Sequence, residues 1–349
     1  MLNSLTSLRF FFAFAVFLSH LTFVTTDLKW YNELKNKVFF EGYVGVGFFF
    51  ILSGFVLALN YQKKIIDNPQ FSFKNFYIAR IARIYPLHIL TFAIMIPFVI
   101  LSNLFGWDKA ILNLFLLQSF VPDKLYYFSI NNVSWSISTE FFFYIMFPLY
   151  IIWLHKFKWL KYTLYIIAIP LLIYIEPKVA SDRALEKWVF YINPITRSLD
   201  FILGIILCDI YQKIKTLKIS YSKGSLIELI VLALFFVLFW YHEDIPRGFR
   251  YGMYYWLPVC LIVLAFAMQK GVVSKLLQNK ILVYLGEISF GFYMIHMIII
   301  KYGNYFITDL NDFIKIGIYF TISLVLSILC FEYFEKPIAK KVKDLRIKK

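Results

Sequence analysis

The sequence predicts an all-α, polytopic membrane protein with about ten transmembrane helices and both termini in the cytoplasm. Three observations predict it. Of the 349 residues, 60% are hydrophobic and 21% aromatic, too apolar for a water-soluble globular domain. The apolar residues gather into runs close to the roughly 20 residues that a helix needs to cross a bilayer. Lysines and arginines concentrate in alternate connecting segments.

The expected spans, in order, are about 8–26, 39–60, 80–103, 133–154, 160–176, 194–211, 224–241, 252–269, 280–301 and 313–334. The first lacks a basic leader and a small-residue cleavage site, so it is expected to be a retained span. The second opens on Gly42-Tyr43-Val44-Gly45-Val46-Gly47 and later carries Leu52-Ser53-Gly54-Phe55. Such small residues permit close helix approach and leave room for a thin substrate arm. The third begins with Arg80-Ile81-Ala82-Arg83 at its cytoplasmic end. The apolar run 110–121 is too short to cross and is expected to be an interfacial or re-entrant helix. The three cysteines, Cys208, Cys260 and Cys330, sit inside apolar runs and are expected as free, buried thiols. The last span leads into a basic cytoplasmic tail, about 335–349, with seven lysines and arginines. No internal repeat or linker divides the chain, which is expected to be one transmembrane domain over 1–349.

With the N-terminus inside, the internal segments hold Lys63, Lys64 and Lys74, then Lys156, Lys158 and Lys161, then Lys213, Lys215 and Lys218, then Lys270 and Lys275. The external loops hold most of the acids, among them Asp27, Asp108, Asp182, Glu243 and Asp309. The net charge of +15 therefore reflects membrane orientation and contact with lipid headgroups. It does not point to nucleic acid.

Ionisable residues within spans each cost roughly 2.5–3.5 kcal/mol on insertion scales, so they mark function by default. In the first span, Arg9 and His20 are eleven residues apart. That separation is three helical turns plus about 20°, so both share one face, roughly 16 Å apart along the axis. His20 and Glu140, in the fourth span, stand at matching depths, about 10 Å below the outer surface. A carboxylate at that depth is suited to fix the imidazole tautomer of a general base. The bland alternative is a structural pair tying two helices. Ser136, Glu140 and Tyr144 recur every four residues and form one polar stripe, on which Ser136 is placed to hold the Glu140 rotamer. Arg80 and Arg83 share a helix face. They are either lipid-phosphate anchors or a clamp for an anionic cytoplasmic cofactor. Arg9 is on the same side of the membrane. In the ninth span Ser289, Tyr293 and His296 share a face. His296 is expected at a shallower depth than His20, either meeting an acceptor at the outer mouth or resting as an interfacial histidine. No metal-ligand spacing, P-loop or G-x-S-x-G elbow is present.

Together these residues resemble the acyltransferase-3 family of integral membrane O-acyltransferases. The resemblance rests on Arg9 and His20 with ten residues between, Phe49-Phe50-Ile51-Leu52-Ser53-Gly54-Phe55, and Arg80-x-x-Arg83-Ile84-x-Pro86. It continues through Trp135-Ser136-x-x-x-Glu140 with Tyr144 and Pro148, Gly286-x-Ile288-Ser289 with Tyr293 and His296, and Glu335-Lys336-Pro337. Phe290 stands where a tyrosine is commoner. Unlike longer members, the chain carries no appended SGNH-type domain. The resemblance implies transfer of an acyl group, usually acetyl from acetyl-CoA, to a sugar hydroxyl of a surface glycan or a lipid-linked saccharide at the bacterial inner membrane. It implies His20 as the catalytic histidine, Glu140 as its partner, and Arg80 and Arg83 at the acyl-CoA end. In the mechanism that follows, CoA phosphates dock on Arg80, Arg83 and Arg9, and no cofactor is tightly bound. His20 takes the acceptor proton, and Ser136, Trp135 or Asn132 donates to the oxyanion. An acyl-histidine intermediate is an alternative route. The competing class is a proton-coupled transporter with His20 and Glu140 as relay. Monomer and homo-oligomer both stay open.

Overall fold

The computed structural model describes residues 2–347, and among these there are helices and no strand. The principal helices are α1 (Asn3–Ser19), α2 (Val44–Asp67), α3 (Phe73–Leu101), α4 (Trp107–Leu114), α5 (Ser134–Lys156) and α6 (Leu160–Val179). They continue as α7 (Pro194–Ile214), α8 (Tyr221–Trp240), α9 (Met253–Met268), α10 (Lys280–Phe306), α11 (Asp312–Cys330) and α12 (Lys336–Ile347). Nine helical stretches among the described residues are long and apolar enough to cross a membrane, and α1 is a shorter apolar helix. The polarity of the fold is that of a multi-pass membrane protein. Large apolar side chains such as Ile166, Ile281 and Leu257 face outward, while Ser4, Ser7, His88, Asn113, Arg197 and Glu228 are buried.

The expected boundaries shift where polar residues start or stop a helix. α1 ends at Ser19, seven residues early. His20 and Leu21 donate to the Phe17 and Leu18 carbonyls at 3.0 and 3.2 Å, and Ser19 Oγ donates to the Val16 carbonyl at 2.7 Å. These bonds close the last turn and use its orphan carbonyls. The threonines that follow, Thr22, Thr25 and Thr26, are poor helix formers. α3 begins seven residues early because Ser72 caps it, accepting from the Asn75 amide at 3.2 Å. α10 runs five residues further than expected, to Phe306. The 110–121 run is the short α4, then Leu116 with φ 57° and a tight turn at Gln118–Phe120. It is fastened by buried side chains: Asn113 accepts on its carbonyl from His88 Nε2 at 2.9 Å, and Ser138 Oγ donates to the Leu116 carbonyl at 2.6 Å. All three cysteines are free, but Cys330 is only half-buried. The basic tail is helical through α12. Lys348 and Lys349 lie outside the described residues.

The helices form two compact units, and the division falls inside α1, α5 and α10. The first unit holds α1 up to Phe12, Tyr43–Phe71 and Met146–Glu287. Its seam is α2 against α7, where backbones touch. A Cβ on Gly54 would stand 2.0 Å from the Phe201 carbonyl oxygen, and one on Gly204 2.0 Å from that of Ile51. Within this unit Glu228 is buried and accepts from the Gly271, Val273 and Ser274 amides at 2.8–3.0 Å, capping the turn after α9. Arg197 and Asp200 form a buried ion pair at 3.1 Å, and Trp256 donates to Asp200 at 2.8 Å. The second unit holds Ala13–Gly42, Ser72–Ile145 and the chain from Ile288 onward. One of its apolar clusters is Met95, Val99, Ala110, Ile130 and Ile298. This unit carries the candidate site.

Candidate active site

The ring that His20 meets is His296. His20 Nδ1 and His296 Nε2 are 3.0 Å apart, with ring centroids at 5.1 Å. His296 is fully buried and His20 half-buried. The expected difference in depth is therefore corrected. It came from counting inward from assumed span ends, and α10 runs on to Phe306 while α1 stops just before His20. Phe17 and Phe292 line the pair, with ring centroids 6.0 and 6.1 Å from that of His296.

The hydrogen bonds determine where the protons sit. His296 Nδ1 lies 3.2 Å from the Phe292 carbonyl oxygen. A carbonyl only accepts, so Nδ1 carries the proton and Nε2 of the neutral ring is an acceptor. His20 Nδ1 must then donate to it. A neutral His20 ring with its proton on Nδ1 carries its lone pair on Nε2.

The polar stripe on α5 exists, with different partners from those expected. Ser136 does not bond Glu140. It lies 2.7 Å from the Tyr293 hydroxyl and donates to the Val133 carbonyl at 2.9 Å. In the first turn of α5 its hydroxyl is taken up by the Val133 carbonyl behind it and by Tyr293 on α10. Glu140 accepts from Tyr144 at 2.7 Å. Tyr144 in turn lies under Arg80, whose guanidinium carbon is 5.5 Å from the ring centroid. On α10, Phe290, Tyr293 and His296 follow at helical spacing. Phe290 faces Arg83 at 5.0 Å, Tyr293 meets Ser136, and His296 meets His20. A polar column thus runs between α5 and α10, with the arginines at one end and the two histidines at the other.

The arginines do not open their helix, as the expected span start at Arg80 had them. Arg80 and Arg83 are seven and ten residues into α3, roughly 10 and 15 Å along it. Arg83 Nη1 is 3.0 Å from Glu335 Oε2. Glu335 ends a π-helical turn, Phe331–Glu335. A Cβ on Gly291 would stand 3.3 Å from Glu335 Oε1, so the glycine helps make the notch that receives this carboxylate. Arg9 is half-buried on the part of α1 in the first unit, and Ser53 is half-buried beside Gly54 on α2. Trp135 is buried at the start of α5.

Three residues were not singled out by sequence reasoning as site members. Glu335 was visible only as one piece of the resemblance. Asn131 donates from Nδ2 to the Met294 carbonyl at 3.0 Å, tying the start of α5 to α10. Lys301 donates to Asn132 Oδ1 at 2.6 Å. It stood at the expected end of its span and read as a boundary lysine. Because an ammonium must bond the amide oxygen, Lys301 fixes the Asn132 flip and leaves the Nδ2 donors turned away from it. Among the described residues no group of three or more His, Cys, Asp or Glu is placed to hold a metal ion.

Residues 2–332 match the family described as "Acyltransferase domain". Acyltransferase MdmB of Streptomyces mycarofaciens is 30% identical over 332 residues, covering 87% of this chain and 80% of that protein. A putative O-acetyltransferase of Staphylococcus aureus (strain COL) is 22% identical, covering 88% of this chain and 54% of its own. O-acetyltransferase OatA of Staphylococcus aureus (strain NCTC 8325 / PS 47) is 25% identical, covering 86% and 53%. The chain spans about half the length of these staphylococcal relatives. No solved structure matches it.

Proposed function

The chain belongs to the Acyltransferase domain family and is a membrane O-acyltransferase, and from that premise we propose that it carries acetyl from cytoplasmic acetyl-CoA to a sugar hydroxyl of a cell-surface or lipid-linked glycan, at a bacterial inner membrane. The observation that carries the mechanism is the His20–His296 contact, with His296 Nδ1 turned to the Phe292 carbonyl. In this reading His20 Nε2 takes the proton of the acceptor hydroxyl. The oxygen attacks the thioester carbonyl, and the tetrahedral oxyanion collapses to release the CoA thiolate. The His20 imidazolium returns its proton to that thiolate. One acetyl-CoA and one alcohol become one ester and one CoA thiol.

The other residues take supporting roles. The polar column between α5 and α10 is the donor path, with CoA phosphates at Arg80 and Arg83. Arg9 is a further candidate for the anionic donor. Glu140 is the carboxylate of the α5 stripe and favours the imidazolium that His20 becomes. Asn132 is the favoured oxyanion donor. Its Nδ2 is oriented by Lys301, whereas the Ser136 hydroxyl is engaged with Val133 and Tyr293. The test is His20→Ala in purified protein, assayed with labelled acetyl-CoA and a glycan acceptor. Transfer should vanish while the variant elutes as folded protein in detergent. Retained transfer overturns the mechanism.

A further inference from the structure

Lys301 is a half-buried cation with no carboxylate among its contacts with the described residues. Its neighbours are the neutral Asn132 amide, at 2.6 Å, and the Phe98 ring, 5.7 Å from its ammonium. Several other charges within the bundle are answered. Arg197 has Asp200, Glu228 has three backbone amides, and Arg83 has Glu335. Desolvating a cation without a counter-charge is costly, so an unanswered one inside a membrane bundle marks a place where a ligand supplies the charge.

Its location says which ligand. Lys301 lies five residues beyond His296 on α10, a rise of about 7.5 Å. In the orientation read from the basic loops, that displacement is toward the outside, the side from which an acceptor arrives. Asn132 links Lys301 to the catalytic end, because its neighbour Asn131 bonds the Met294 carbonyl two residues before His296. The apolar ring of Phe98, itself against Tyr302 at 5.1 Å, lowers the local polarity and strengthens a charge–charge contact there.

We propose that Lys301 is the anion-binding residue of the acceptor subsite: the acceptor carries a phosphate or carboxylate placed within about one sugar unit of the hydroxyl that is acylated. This rests on the O-acyltransferase reading with His20 as base. The ammonium binds the acceptor's anionic group and orients the neighbouring hydroxyl toward His20 Nε2.

The test uses purified full-length protein in detergent with glucose 1-phosphate, methyl glucuronide and methyl glucoside as probes. Binding is measured by retention of labelled probe, and transfer with labelled acetyl-CoA. The wild type should bind and acetylate one of the two charged sugars at least tenfold better than the neutral one. Which charged sugar is favoured assigns phosphate or carboxylate. Lys301→Met should erase that preference, lowering transfer to the favoured charged sugar at least tenfold more than transfer to methyl glucoside, and Lys301→Arg should keep it. The proposal is overturned if the wild type binds the three probes alike. It is also overturned if Lys301→Met weakens charged and neutral acceptors equally, because Lys301 then acts only through Asn132. Binding without any transfer counts against the His20 mechanism and still decides the anion subsite by its dependence on Lys301.

Discussion

In the proposed mechanism His296 acts on the reaction only through His20. It holds a buried acceptor nitrogen against His20 Nδ1, which keeps the base nitrogen of His20 free of its proton. Replacing it with alanine leaves both His20 nitrogens to choose a tautomer. His296→Ala is expected to lower kcat by about 100-fold, the lower range for positioned acid–base catalysis, with KM for acetyl-CoA unchanged. His296→Gln keeps a carbonyl oxygen to accept from His20 and should recover part of that loss. Steady-state kinetics that separate kcat from KM check both. The arginines should show the opposite split. A hydrogen bond to a charged group is worth about 1.5–3 kcal/mol, so Arg80→Ala and Arg83→Ala are each expected to raise KM for acetyl-CoA by about tenfold or more, with a smaller effect on kcat. A fall in kcat alone would remove both from the donor site. His20 as a catalytic candidate was legible from residue type and position within an apolar run. His296 as its partner was not, because the contact joins residues 276 apart in sequence.

At the scale of elements, the α2–α7 seam shows how small residues set the packing. Gly54 and Gly204 each face a backbone oxygen at 2.0 Å from where a Cβ would be. A carbonyl cannot rotate away as a side chain can, so any added carbon must push the helices apart. Gly204→Val is expected to destabilise the protein by about 1–3 kcal/mol, as overpacking does. A lowered thermal midpoint of the purified protein in detergent would show it, and an unchanged midpoint would mean that the seam is looser than this geometry. The sequence displayed these glycines as helix-contact residues, yet it did not say which helix each one meets. The element boundaries show the same division. The existence of each apolar helix was readable from composition. The ends at Ser19, Ser72 and Phe306 were decided by hydroxyl caps and closing turns that weigh little in a hydropathy pattern.

The whole molecule is a multi-pass membrane protein whose orientation is read from its basic segments. With both termini in the cytoplasm, a fluorescent protein fused after Lys349 should fold and glow, and alkaline phosphatase fused there should stay inactive. Phosphatase activity at that end would reverse the orientation. It would also place Arg80 and Arg83 on the outer side, where acetyl-CoA is not supplied.

The sequence by itself determined the class of the molecule, because burial in a bilayer demands long apolar helices and penalises every charge within them. The few polar residues retained there, His20, Glu140, Arg80, Arg83 and His296, therefore stood out in the sequence. Only the tertiary structure decided the partners that lie on other elements: His20 with His296, Arg83 with Glu335, Asn132 with Lys301. The reason is geometric. A hydrogen bond is won or lost over a few tenths of an ångström, while depth counted along separate helices is uncertain by a turn whenever a cap moves an end. Composition survives such a shift, and pairing does not.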